Sequence, residues 1–480
     1  MILIVFSLRG ICPTGYSRPL EFDLQCLLKA STDYAKKKFE DVSRTDRSSC
    51  FFCTLAIFVV IGIYTIRLVK SSQDFSIGQR KASWAVVSGT IMGTLVGGAS
   101  TIGTAQLAFQ YGFSAWWFTL GAGIACFVLG VLFLPKLYRS GSATIPQLLC
   151  RRYNQNIGAV SAIFSSLDIF MNIIAQGLSA FALITSIIPM SPILAAGACF
   201  FLVLMYLYWG GIWSTGFLGI AKILFLFAVT ILCWAFAFQM LGGVPGIRFA
   251  FDSFPWLSLF GRGVNTDLAA GFSLIVGVLS TQTYFQAVVA ASNLKQAKKG
   301  VFLSSFLIPL VGIGGILVGL YMRAHFPSTP SEHVLTVFIS RFFPPIVVGI
   351  IFATLLITIV GTWAGLILGI TTMLTKDVYH KHINPQAGDR KILGIQRILI
   401  LALTAISLFF VVGNEVPPHA AGFANALVWG IGTSGGAAVG PVLIGLLAGI
   451  VGLAQAMLIL TCLGLASVLA VPFIRKPKVQ

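Results

Sequence analysis

Residues 89–112 read GTIMGTLVGGASTIGTAQLAFQYG, a stretch apolar enough to span a bilayer yet interrupted by Gly89, Gly93, Gly97, Gly98 and Gly103. Each glycine inside a helix costs about 0.5–1 kcal/mol relative to alanine, so plain anchoring does not account for them. Within a membrane, a helix opens only where the freed N–H and C=O groups find a partner in the protein, in a cavity, or on a bound solute or ion. The stretch therefore reads as a broken helix lining a binding site.

The rest of the chain fits a membrane setting. Of 480 residues, 57% are hydrophobic and 10% charged, against roughly 25% charged in soluble domains, and the mean hydropathy is +0.92. Many apolar runs reach the ~20 residues that a hydrocarbon core requires. This is the composition of an all-α polytopic protein of the cell membrane, and it disfavours a soluble α/β core. The net charge of +18 does not point to nucleic acid, because the Lys and Arg sit in short loops between apolar runs, where they set topology. Apart from Cys50 and Cys53 the nine cysteines form no C-x-x-C pair, so neither a metal site nor a disulfide framework is indicated. No set of nucleophile, base and orienting acid appears, which argues against an enzyme. No cofactor or obligate protein partner is implied.

In chain order, residues 1–49 form a polar extension carrying Glu21, Asp23, Asp33, Glu40, Asp41 and Asp46, six of the fourteen acids. Residues 50–475 form the membrane domain. Spans are expected at about 50–68, 84–109, 115–134, 157–187, 192–209, 215–241, 268–290, 300–322, 347–374, 393–412, 420–447 and 451–473, roughly twelve in all. Basic loops near 67–81, 136–152, 295–299 and 376–391 mark the cytoplasmic side and place the amino terminus outside. The tail with Arg475, Lys476 and Lys478 then falls outside, against that rule. The segment SEHVLTVFISRFF (331–343) reads as an exterior surface helix, and His325, His333, His380, His382 and His419 fall in loops or at span ends.

Three segments resemble the sodium:solute symporter family of sodium/glucose, sodium/proline and sodium/pantothenate transporters. They are DFSIGQRK (74–81) with Trp84 and the A-F-x-x-G of Ala108–Gly112, then QAVVAASNLKQAKKG (286–300), then VGTWAGLILGITTMLTKDVYH (360–380). The resemblance covers about 50–450. It implies a leucine-transporter-like fold of two inverted five-helix repeats, about 84–241 and 268–447, with an extra N-terminal helix and one or more extra C-terminal helices. The first helix of each repeat would be broken at the midplane. It also implies a sodium ion held by carbonyls of Gly93 and Val96 on the first core helix, and by the Thr358 carbonyl and the Thr362 hydroxyl on the eighth. Sodium is a hard cation, suited to oxygen ligands. The family's second hydroxyl position falls on Gly361, which has none. On the fifth core helix, GGIWSTGFLGIAK (210–222) resembles the family pattern except that Gly219 replaces an Asp and Lys222 a Gln.

Lys222 has two readings. Lysines inside membranes cost ~2.5–3.5 kcal/mol to insert, so they usually face a cavity or partner, although a long side chain also snorkels to the interface. On the sharper reading its ammonium reaches the depleted sodium site and stands in for the ion, leaving a proton-coupled or cation-independent carrier. Asp168 is its expected partner in an ion pair or proton relay. Asp168, Asn172 and Gln176 recur at helical spacing; Asn172 and Gln176 are read as solute-lining, against a plain role as interhelical glue. Ser100 and Thr101 beyond the first break, and Gln282, Thr283 and Tyr284 on the second broken helix, complete the expected solute site.

The function expected is secondary active transport, sodium-coupled symport of a small neutral or zwitterionic organic solute by alternating access, in a lipid bilayer. A reading from another class is a non-transporting membrane sensor or scaffold that keeps the fold.

Overall fold

The computed structural model describes residues 44–152, 155–187 and 191–413, nearly all of them helical. Most of the polar extension, the last two expected spans, His419 and the basic tail lie outside the described residues. The first half comprises α1 (Arg44–Ile66), α2 (Ser72–Ile77), α3 (Trp84–Leu95), α4 (Thr104–Tyr111), α5 (Trp117–Val128), α6 (Leu134–Arg139), α7 (Ile145–Arg152), α8 (Gln155–Ile187), α9 (Pro192–Leu207) and α10 (Gly211–Met240). The second comprises α11 (Gly243–Ala250), α12 (Val264–Ser280), α13 (Gln282–Val289), α14 (Leu294–His325), α15 (Val334–Phe342), α16 (Pro345–Met373) and α17 (Asp389–Gly413). Seven helices among the described residues are long and apolar enough to cross a membrane, and the pair α12 and α13, bent by 50°, makes an eighth. The spans expected between 50 and 412 all have helical counterparts, two of them broken.

Burial sorts these helices. Every residue of α16 from Ile351 to Met373 is buried, as befits a helix apolar all round, which belongs inside a bundle. In contrast, α1 buries the stripe Phe51, Leu55 and Phe58 and exposes Phe52, Ile57, Val60 and Ile63, a lipid-facing surface. Helices α3 and α10 cross against α16 with their backbones in contact. A Cβ at Gly219 would fall on the Gly89 carbonyl, and one at Gly93 would lie 3.0 Å from the Gly219 Cα. Small residues at such a crossing let membrane helices approach closely enough for dispersion to hold them. This explains Gly219, and it places Lys222 one turn beyond the contact.

Helix α14 fixes the path between α4 and α5. Its Gly315 and Gly319 meet Thr104 and Ala108 in ascending order, while Gly312, Pro309 and Phe302 meet Thr119, Gly123 and Gly130 in opposite order. The chain therefore reverses between α4 and α5, at Gly112 (φ +65°), where Phe113 N–H donates to the Trp256 carbonyl (2.8 Å). The exterior segment forms α15, with Val334, Leu335, Phe338 and Ile339 buried, so it packs as a cap. The four basic loops meet at the opposite end. Asp389 accepts from the Ser72 N–H (3.0 Å), Tyr138 donates to the Ala291 carbonyl (3.1 Å), and Ala82 N–H donates to the Ala290 carbonyl (3.0 Å).

Candidate functional site

Helix α3 stops at Leu95 because Val96 turns extended (φ −87°, ψ 98°). A π-helical turn, Ala99–Gly103, then restarts the chain toward α4. Gly97 and Gly98 face helices that leave no room for side chains: a Cβ at 97 would lie 2.7 Å from Gln176 Oε1 and 2.9 Å from Thr362 Oγ1. Gly98 N–H donates to Gln176 Oε1 (3.2 Å), and Gln176 Nε2 reaches Asn172 Oδ1 (3.5 Å). Ser100 and Thr101, expected to meet solute, turn back on the break: Ser100 donates to the Leu95 carbonyl (3.3 Å) and Thr101 to that of Gly97 (3.0 Å). Such local bonding lets a broken helix end satisfy its own carbonyls.

The four expected cation ligands converge. Thr362 Oγ1 donates to the Val96 carbonyl (3.0 Å), and the Lys222 ammonium joins the other three. Fully buried, it donates to the Gly93 carbonyl (2.6 Å), the Thr358 carbonyl (2.8 Å) and Thr362 Oγ1 (3.3 Å). An ammonium has three N–H donors, and all three are used. Lys222 is thus directed into the break and does not snorkel. Two unit charges 4 Å apart repel by about 4 kcal/mol at an effective dielectric constant of 20. The ammonium and a second cation therefore exclude each other from these oxygens.

The second break is narrower. Only Thr281 (φ −79°, ψ 126°) departs from helix between α12 and α13, and its hydroxyl donates back to the Gly277 carbonyl (2.7 Å). Thr283 and Tyr284 are buried, with hydroxyls that have no hydrogen-bond partner among the described residues. Gln282 differs from expectation. Its Oε1 accepts from Ile145 N–H (2.9 Å) and its Nε2 donates to the Ala143 carbonyl (3.2 Å), so here it fastens the basic loop between α6 and α7. Gln286, one turn on, donates to the Ser76 carbonyl and to Thr372 Oγ1 (3.0 Å).

The expected Asp168–Lys222 pair is not formed. Among the described residues the ion pair present joins Arg262, just before α12, and Asp267 in the first turn of that helix (2.6 Å). The reason lies in helical geometry: four residues overshoot one turn, so each step from Asp168 to Asn172 to Gln176 rotates the face by about 40°. Asn172 and Gln176 are buried in the bundle, while Asp168 stays at its edge beside exposed Phe164 and Met171. A residue missed in the sequence is Tyr206 on α9, whose hydroxyl lies 2.7 Å from where a Cβ at Gly361 would be. Its place in an apolar run carries no signal of this.

Comparison with known proteins bears on the family and the fold. A profile of the sodium:solute symporter family matches residues 75–448. The sodium/glucose cotransporter of Vibrio parahaemolyticus is 24% identical over 78% of this chain and 75% of its own length. The high-affinity proline transporter PutP of Bacillus subtilis (strain 168) is 22% identical over 73% and 77%. A solved Na+-coupled sialic acid symporter, substrate-bound and outward-open, covers 91% of this chain and 99% of its own with a TM-score of 0.72 at 15% identity. That likeness shows the leucine-transporter-like fold, and the profile match shows that the chain belongs to the sodium:solute symporter family.

Proposed function

We propose that this multi-pass protein of the cell membrane couples a sodium gradient to the movement of a small neutral or zwitterionic solute by alternating access. The observation that carries the reading is the convergence of the Gly93, Val96 and Thr358 carbonyls with the Thr362 hydroxyl at the first break. Oxygens brought together from α3 and α16 suit a hard cation, and a cation bridging the two helices favours the conformation in which both are close, which raises solute affinity reciprocally. The solute contacts are Asn172, Gln176, Thr283 and Tyr284. None of α3, α4, α12 or α13 carries an Arg, the residue suited to clamping a carboxylate, so a neutral or zwitterionic solute fits better than a dianion. The glutamine bonds from α13 close the cytoplasmic side in this conformation, and inward release requires breaking them.

A second reading is favoured by one observation, the Lys222 ammonium bonded within the oxygen set. On this reading the tethered charge does the ion's bridging work, and transport is proton-coupled or cation-independent. Uptake into proteoliposomes separates the two. Sodium coupling requires uptake to collapse when choline replaces sodium. Uptake that runs equally well without sodium and is abolished by Lys222→Ala assigns the coupling to the lysine. Loss of uptake in Thr362→Ala distinguishes either from a scaffold, which would be indifferent.

A further inference from the structure

We propose that Tyr206 supplies the oxygen that position 361 lacks, its hydroxyl becoming a ligand of a monovalent hard cation when Lys222 leaves the break. The inference rests on the cation-site reading above and extends it to a residue on a third helix.

Tyr206 is 4% exposed, and its hydroxyl has no hydrogen-bond partner among the described residues. A buried hydroxyl without a partner is costly, and such groups in folded proteins call for an explanation. Its surroundings provide one. A Cβ at Gly361 would lie 2.7 Å from the Tyr206 hydroxyl oxygen and 3.0 Å from Cζ, so a side chain at 361 and this phenol cannot both be present. Position 361 lies on α16 directly before Thr362 and one turn after Thr358, whose oxygens hold the ammonium. The phenol therefore projects into the space that a hydroxyl on residue 361 would fill, bordering the cation site.

Counting donors and acceptors shows why the group is idle with lysine in place. The ammonium has three protons, taken by Gly93, Thr358 and Thr362, and no fourth to offer. A metal cation has no such limit. Hard cations such as calcium and magnesium gather six or more oxygens, so the four from Gly93, Val96, Thr358 and Thr362 are a short set that a fifth improves. The backbone that carries the phenol is held in place, since the Ser214 hydroxyl donates to the Tyr206 carbonyl and α9 packs along α16.

The test is the melting temperature of the purified full-length chain, titrated with sodium chloride against choline chloride at constant ionic strength. It is run with the native lysine and with Lys222→Met, so that the tethered charge does not mask the ion. Tyr206→Phe is expected to raise the half-saturating sodium concentration by about tenfold. Combining Tyr206→Leu with Gly361→Ser moves a hydroxyl onto α16 and gives it room, and should restore half-saturation to within about threefold of its parent. A Tyr206→Phe chain that melts lower by the same amount in both salts marks a packing role and overturns the proposal. So does an unchanged sodium response in Tyr206→Phe while Thr362→Ala loses it, a result that leaves the cation site standing. If Thr362→Ala also keeps the full response, the cation site itself falls.

Discussion

The two broken helices solve the same problem in opposite ways. At the first break, Val96 and Gly97 leave the helix; the carbonyls of Gly93 and Val96 are met from outside, by Lys222 on α10 and Thr362 on α16, and that of Gly97 by Thr101. At the second, Thr281 alone departs and returns its hydroxyl to its own helix, while the half-helix beyond it is tied down by Gln282 and Gln286. The first is built around an occupant, the Lys222 ammonium, which bonds both α3 and α16. The second is a bend whose short arm is bonded to the loop at 143–145, to α2 and to α16.

The contrast is open to breakage, most severely at the crossing that supports the first break. Gly219→Leu should push α10 away from α3, a packing error costing about 1–3 kcal/mol or more, and the chain should fail to elute as a monodisperse peak. Thr362→Val keeps the shape but removes the hydroxyl that joins Lys222 to Val96, and should lower uptake by more than about tenfold. Gln286→Leu should leave the occupant in place and loosen the arm. Hydrogen exchange should then rise in α2, which loses a buried bond worth about 1–2 kcal/mol. Gln282→Ala should raise exchange in residues 143–147 by less, because Ala143 is half-exposed. Asp168→Asn should change uptake within about twofold, as befits a site uncoupled from the break. A collapse of uptake there would restore the relay that the geometry has removed.

Much of this was legible in the chain. Five glycines in an otherwise spanning run announce an opening, because only a ligand or partner makes such an opening tolerable in lipid. The residues Gly93, Val96, Thr358 and Thr362, whose oxygens the fold brings together, are picked out by a resemblance in motifs, and Lys222 is visible as a charge too deep to ignore. What stayed hidden depends on rotation and on third partners. Asp168 shares a four-residue spacing with Asn172 and Gln176, yet the drift of that spacing carries it out to the edge. Gly219 read as a lost acid, whereas the close approach of the Gly89 carbonyl to its bare Cα is what lets Lys222 approach. Gln282 read as a solute contact because its partner, a loop at 143–145, belongs to no periodic pattern. Tyr206 gave no sign, since the vacancy it fills is created by a glycine on another helix.

The central claim is that one set of oxygens serves either the Lys222 ammonium or a sodium ion, never both. Sodium binding to the purified chain, measured directly with radiolabelled sodium in native and Lys222→Met proteins, tests it. The account predicts that removing the amine raises sodium affinity by about tenfold or more and that Thr362→Ala in the same background abolishes the gain. Equal sodium affinity with and without the amine would contradict it.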